Sequence, residues 1–548
     1  MAAPPRAAMA GLAVAALLSL APALAGQAAP PSLRPDGPPL VAGMRVLAGS
    51  LHDHSTDSDG DTTSAAIAAW ELKHHFELGL DFGILSDHSD AYPVALGAST
   101  SGNPADAAVA ASGTPWARQG ALTVADSKDG FSLLRGFEVT NDQENHLNVI
   151  GSQNWVARTQ AGEGALTMLP FYRWISTAPV PDPGGNGLGY GGADGSGQFN
   201  HPSSKGALNW DDYSYNAAAA PFMDTIEIFG DQNPASPGHS DAGWYWFALS
   251  KGWTVGPVMD WDYHHWTSDG IVTAATPGSE CAGRAHLPCA RSLVVAPVST
   301  PAAIYAALRQ RRTGATERPD LWATLRGPAG EWQGATVGGG PGTTITLTVD
   351  AGTSTDPLAS IDIVSDNGVS AYPYYYGDND PCNPAASSLP TDTIAACTGT
   401  GQLALSYAEQ HRRYVTSGGM ATRKGMIDTA PPSTVVATVK LGAGETRRAT
   451  RRIRVTVPAA ASARPDGRHF FYAVAHTTAA RAWTAPILTD AAVAPDPEPA
   501  AGSTVPAPES SPPGSGLPST GRGLGLQMVL LLALLVALGA ASLARIRN

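Results

Sequence analysis

Histidines and carboxylates of this chain gather at the ends of short apolar runs, twice as pairs two residues apart. His52-Asp53-His54 follows the run Arg45–Leu51, and Asp262 and His264 follow the run Val255–Met259. Residues two apart on an extended strand point to the same side, so each pair can aim both side chains at one ion. Asp59 lies in the polar turn after His54. Asp87-His88 follows Asp81–Leu85, Glu138 falls at the end of Leu133–Val139, His146 opens Leu147–Ile150, and His201 stands between Asn200 and Pro202. Imidazole and carboxylate are the donors expected for zinc, manganese or iron. A carboxylate shared by two ions about 3.5–4 Å apart would suit the clamping of a phosphoryl group and the activation of water. A lone histidine at a strand end is more often a structural hydrogen-bonder. Two pairs together with several further ligand types favour a metal centre over packing.

These side chains need a scaffold that brings distant strand ends together. From Met44 to about Thr316, strand-like runs alternate with helical stretches at Thr63–Leu78, Asp241–Ser250 and Pro301–Arg312. Further strands are expected at Thr225–Phe229 and Leu293–Ala296. Thr/Ser residues open the first of these helices and can cap it, and Thr300 caps the last, followed by Pro at the first helical position. The alternation predicts an α/β fold, barrel-like, in which the C-terminal ends of the strands meet at one face. The glycine-rich segment Pro183–Gly197 is read as a long loop over the mouth of that face. From Leu321 to Asp490 strands occur without helices between them (Thr343–Val349, Ile361–Val364, Val435–Val439, Ile453–Val457, Phe470–Ala475), which predicts a smaller β-sandwich.

The ordered motifs resemble the polymerase and histidinol phosphatase (PHP) superfamily. They are Leu51-His52-Asp53-His54-Ser55 with Ser58-Asp59-Gly60, Leu85-Ser86-Asp87-His88, Gly136-Phe137-Glu138-Val139 with His146, Asn200-His201-Pro202, and Asp262-Tyr263-His264. The resemblance implies a distorted (β/α)7 barrel over residues 44–320, followed by the β-sandwich domain at 321–490. It implies two or three divalent ions (Zn, Mn or Fe). His52, His54, Glu138 and Asp262 would hold the first, Glu138, His146 and His201 the second, and Asp59, His88 and His264 the third. Some members use histidine where this chain has Asp59. The last motif offers Asp260 and His265 as well; the family's Asp-x-His pattern selects Asp262 and His264. The ending Arg481-Ala482-Trp483-Thr484-Ala485-Pro486-Ile487 and the stretch Leu308–Thr316 look like the secreted branch with a trailing β-domain. The activity implied is hydrolysis of a phosphoester by a metal-bound hydroxide, with Glu138 as a catalytic residue and Asp87 orienting the water or His88. A carboxylester or carbamate hydrolase is the enzymatic rival. A surface binding protein with an inherited metal site is the non-enzymatic one.

The rest of the chain sets the context. Its 548 residues carry a net charge of −13 and no lysine/arginine run that stands out, so nucleic-acid binding is not expected. Arg6, an apolar run and Ala23-Leu24-Ala25 read as a signal peptide over residues 1–25. A Pro-rich linker at 491–516 leads to Leu517-Pro518-Ser519-Thr520-Gly521, an apolar segment and two arginines, which resembles an LPxTG-type sorting signal over 517–548 and implies sortase as a partner. An extracellular protein tethered to cell wall or membrane is expected, acting on a small-molecule or cell-surface ester. The four cysteines fall as Cys281/Cys289 and Cys382/Cys397, with local disulfides the simplest pairing. His74 and His75 lie on the first helix and are read as surface or supporting residues. Glu227 is weighed evenly between the pocket and a structural role. Asp57–Asp61 looks like part of a calcium loop but has Ala68 where an EF-hand needs glutamate. Tyr374-Tyr375-Tyr376 is read as a solvated loop.

Overall fold

The computed structural model describes residues 34–92, 115–141, 145–156, 168–180, 191–202, 210, 213–228, 242–273, 289–366, 434–442, 447–460, 462 and 464–490. The signal peptide, linker, sorting signal, tyrosine run and the cysteines other than Cys289 lie outside them. Cys289 is disulfide-bonded. No helix among the described residues is long and apolar enough to cross a membrane.

The first part of the chain runs β1 (Leu40–Val41), β2 (Met44–Gly49), α1 (Ser64–Leu78), β3 (Phe82–Leu85), α2 (Pro115–Asp126), β4 (Ser132–Val139), β5 (Leu147–Ile150), α3 (Leu169–Ile175), β6 (Ser196–Phe199), β7 (Met223–Glu227), α4 (Ala242–Ser250), β8 (Gly256–Val258), β9 (Arg291–Ala296), α5 (Pro301–Arg309) and β10 (Thr313–Thr316). Local chemistry sets several boundaries. The Thr63 side chain accepts from Ala66 N–H to start α1, and Gly79 ends it in the left-handed region at φ 64°. Thr300 caps α5 in the same way, with Pro301 at its first turn.

The fold is mixed α/β, with a long curled sheet. Strands β2, β3 and β4 are parallel, and so are β6, β7 and β8. Among the described residues the strand–helix alternation expected of a (β/α)7 barrel is incomplete. β5 pairs antiparallel with both β4 and β6, because only a short connection joins β4 to β5. Only five α-helices occur among the described residues. The glycine-rich segment is a loop only in part, since β6 begins inside it at Ser196. The curl brings the chain after β8 beside the chain after β2: Asp262 N–H donates to His52 O at 2.8 Å and His54 N–H to Tyr263 O at 3.1 Å.

The second part comprises β11 (Trp322–Arg326), β12 (Thr336–Val337), β13 (Thr344–Gly352), β14 (Ser360–Ser365), β15 (Val435–Lys440), β16 (Arg448–Thr456), β17 (Phe470–His476), β18 (Arg481–Thr484) and β19 (Ile487–Thr489). A separate small sheet, β11-β13-β16, shares an apolar layer with β14 and β17 through Leu325, Leu347, Ile453, Ile361 and Phe471. The expected boundary near residue 320 coincides with no break in the sheet, because β10 pairs with both β9 and β18. Aromatic packing crosses it too: Tyr245 lies 4.8 Å from Tyr472 between ring centroids, and its hydroxyl donates to Thr484 O. Arg464, in the loop before β17, donates to Leu249 O, Gly252 O and Trp253 O at the end of α4.

Candidate metal centre

Glu138 closes β4 with its carboxylate buried at the centre of five imidazoles. Its Oε2 lies 3.2 Å from His52 Nε2, 3.2 Å from His54 Nε2 and 3.0 Å from His88 Nδ1. Its Oε1 lies 3.0 Å from His146 Nδ1 and 3.3 Å from His201 Nε2. Asp262 Oδ1 completes one side, 3.4 Å from His52 Nε2 and 3.1 Å from His54 Nε2. Asp59 lies nearer solvent, with Oδ1 3.2 Å from His264 Nε2 and Oδ2 3.6 Å from His88 Nε2. Among the described residues, three groups have donor atoms all within 4.8 Å of one another and could hold a metal ion. They are His52/His54/Glu138/Asp262, His88/Glu138/His146, and His54/Asp59/His88/His264.

The first group coincides with the expected first ligand set. The other two regroup the expected sets: His88 stands beside Glu138 and His146, and His54 joins Asp59, His88 and His264. His201 touches Glu138 but belongs to none of the three groups. Every expected ligand is thus brought into one cluster. Asp260 faces the strands behind it, accepting from Leu51 N–H and Ser292 Oγ. His265 is exposed. Asp87 accepts from Ser55 N–H, Ser55 Oγ, Ser58 Oγ and Gln119 Nε2. It therefore holds the loop carrying Asp59. Gly60 is required in that loop, because a Cβ there would come within 2.7 Å of His54 O. His74, expected as a surface or supporting residue, is buried against the Trp70 ring.

The donor set passes a chemical test for a cation. His52 Nδ1 lies 2.7 Å from Glu227 Oε1, and because a carboxylate only accepts, Nδ1 carries the proton. In the neutral imidazole His52 Nε2 then presents a bare lone pair to His54 Nε2 at 3.0 Å and to the carboxylates of Glu138 and Asp262. Converging lone pairs repel unless a positive charge lies among them. The same demand appears in the proton equilibria. Burial alone would lower the pKa of His52, but Glu138, Asp262 and Glu227 raise it well above the ordinary histidine value. Burial likewise opposes His54, whose hydrogen bonds to Asp262 and Glu138 still raise it to about 10. Burial would raise Glu138 and Asp262, yet the surrounding imidazoles hold both well below the usual carboxylate range. His88 is pulled down to about 4, chiefly by burial.

Supporting polar residues were less legible in the sequence. Glu227 ends β7 as Glu138 ends β4; it holds His52 and also accepts from His201 N–H and Gln198 Nε2. Asn200 Nδ2 donates to Glu138 Oε1 at 2.9 Å and to Asn148 Oδ1. His201 and Asp262 sit at positive φ, 32° and 49°. Such conformations cost about 1–3 kcal/mol and persist where surrounding contacts enforce them. Glu227→Gln is expected to weaken metal binding about 10–100-fold, the usual effect of losing an outer carboxylate on a ligating histidine. Metal-competition titration would measure it; a change below about threefold would reduce Glu227 to a packing role.

Searches of protein-family models, of curated proteins and of solved structures give no match to this chain.

Proposed function

We propose that this chain is a metal-dependent phosphoesterase of the PHP type, with a distorted seven-stranded barrel of that family's kind, acting outside the cell. One observation carries the reading: a single buried carboxylate, Glu138, belongs to two ligand groups at once. A shared carboxylate is the arrangement expected of multinuclear hydrolase sites. Two or three ions of zinc, manganese or iron would be held by the three ligand sets that the resemblance implies. When bound, such ions supply Lewis acidity toward a phosphoryl oxygen and lower the pKa of water.

The chain's own residues do the remaining work. Glu227 keeps the His52 proton on Nδ1, so Nε2 stays a donor. Glu138 and Asp262 stay ionised at neutral pH. Asp87 and Ser58 fix the loop that presents Asp59. The side chain of Asp59 is 55% exposed while that of Glu138 is 1% exposed, so substrate reaches the cluster from the Asp59–His264 side. The substrate would be a small-molecule or cell-surface ester.

The test is a purified, metal-loaded protein assayed on phosphomonoesters, phosphodiesters, carboxylesters and carbamates. Phosphoester turnover that is lost on chelation and restored by Zn, Mn or Fe is expected. Faster turnover of a carboxylester or carbamate would replace the phosphoester assignment. No turnover on any substrate would favour a binding protein. The extracellular setting rests on Ala23-Leu24-Ala25 and Leu517–Gly521. Recovery of an intact peptide across Thr520–Gly521 from the mature protein would remove the sortase step.

A further inference from the structure

The strand β16 carries Arg448, Thr450, Arg452, Arg454 and Thr456 on one side, all exposed, while Ala449, Ile453 and Val455 face the apolar layer on the other. Period-2 alternation thus turns a stretch with five arginines and no acid between positions 447 and 456 into a cationic strip. Its cross-strand neighbours on β13 are hydroxyl-bearing: Thr346 stands opposite Arg454 and Thr348 opposite Arg452.

These arginines differ from most others in the protein. Arg34, Arg318, Arg326, Arg464 and Arg481 each have a carboxylate partner. Among the described residues no carboxylate pairs with Arg447, Arg452 or Arg454. Asp350, opposite Thr450 on this face, is already held by Arg326 at 2.7 Å and by Thr450 Oγ1. Two exposed guanidinium groups without a carboxylate partner, Arg452 and Arg454, thus stand together on one face of a chain whose net charge is −13.

We propose that this outer face docks a linear polyol-phosphate polymer. Side chains two apart on a strand lie about 6.5 Å from each other, so Arg452 and Arg454 can take two phosphates along an extended chain. Guanidinium forks match phosphate oxygens, and the adjacent threonine hydroxyls add neutral donors. Charge complementarity selects a polyanion. On this face Trp322 is buried and Trp332 half-buried, beneath the guanidinium groups of Arg448 and Arg326, so neither presents the open ring that single-stranded nucleic-acid sites use for stacking.

Among the described residues β16 is also an edge strand, and charge on an edge can serve only to prevent sheet-to-sheet pairing. Reversing the sign separates the two roles, because glutamate protects an edge as well as arginine does. The experiment uses the full exported chain and a synthetic poly(glycerol phosphate), with anionic phosphatidylglycerol vesicles and single-stranded DNA as comparison ligands. Wild type should bind the polymer at low salt, and the double variant Arg452→Glu/Arg454→Glu should bind at least tenfold more weakly. Arg452→Gln/Arg454→Gln should fall between them, with a salt dependence shallower by about 1–2 in slope. Melting temperatures and solubility should match wild type in both variants. Equal binding by the double variant, no binding by wild type, or tighter binding to vesicles or DNA would each overturn the proposal. The readout does not use turnover, so its failure is distinct from failure of the phosphoesterase reading.

Discussion

Glu138→Gln is expected to remove activity by on the order of 10³-fold, at the upper end of what losing one electrostatic stabiliser costs an active site. Metal should be lost with it. The carboxylate lies within 3.3 Å of nitrogen atoms of five histidines. An amide keeps the shape but brings two donors and no charge. One oxygen position would become an NH2 facing imidazole nitrogen, and the shared anion that reconciles the ligand groups would be gone. Circular dichroism should remain near wild type, since Asn200 and the β4–β5 pairing still hold the strand. Retention of more than about a tenth of wild-type turnover, or of full metal content, would remove Glu138 from the centre of the site.

The largest stability effect should come from Arg464→Met, which is expected to cost about 3–5 kcal/mol, the scale of breaking a buried ion pair by removing one partner. The guanidinium is fully buried and pairs with Asp466 at 2.7 Å. It also donates to Leu249 O at 2.8 Å, Trp253 O at 2.9 Å and Gly252 O at 2.8 Å, carbonyls at and just beyond the C-terminal end of α4. A cation there also complements the partial negative charge of the helix end. Methionine fills comparable volume but leaves these carbonyls without their donor and Asp466 without this partner. The effect reaches the metal centre through sequence: α4 leads into β8, and β8 delivers Asp262 and His264. Urea unfolding would measure the loss, and a change below about 1 kcal/mol would show that the carbonyls find other donors.

Several elements could be read without a structure because local rules decide them. The Thr63 and Thr300 caps are short-range hydrogen bonds, and both helices begin where those residues stand. β5 falls on the four apolar or amide residues Leu147–Ile150 as expected. The strand β6 was hidden, because its Ser-Gly-Gln-Phe sequence lacks β-branched residues; pairing on both sides, with β5 and β7, makes it a strand. The arginine strip was hidden for a related reason. A run of basic residues becomes a face only once the strand period separates Arg452 and Arg454 from Arg451 and Ile453.

At the site, donor type and pairwise spacing were local matters, so all nine candidate ligands could be named from the chain. Their grouping came only from the resemblance, and of its three sets only the first coincides with a group the structure forms. Grouping depends on the curl that sets the end of β8 beside the end of β2, and on a register that places Asn148 opposite both Glu138 and Gln198. That register aligns the amides behind the cluster, including Asn200 on Glu138. Glu227 reached its place against His52 across 175 positions of sequence. The sequence by itself determined the donors and the strand ends that carry them, since these follow from side-chain chemistry and a two-residue period. Only the tertiary structure decided the contact of Glu227 with His52 Nδ1, the grouping of His88 with Glu138 and His146, and the hold of Asp87 on the loop carrying Asp59. Each of these depends on which partner stands within hydrogen-bonding distance, and that is set by packing between distant segments.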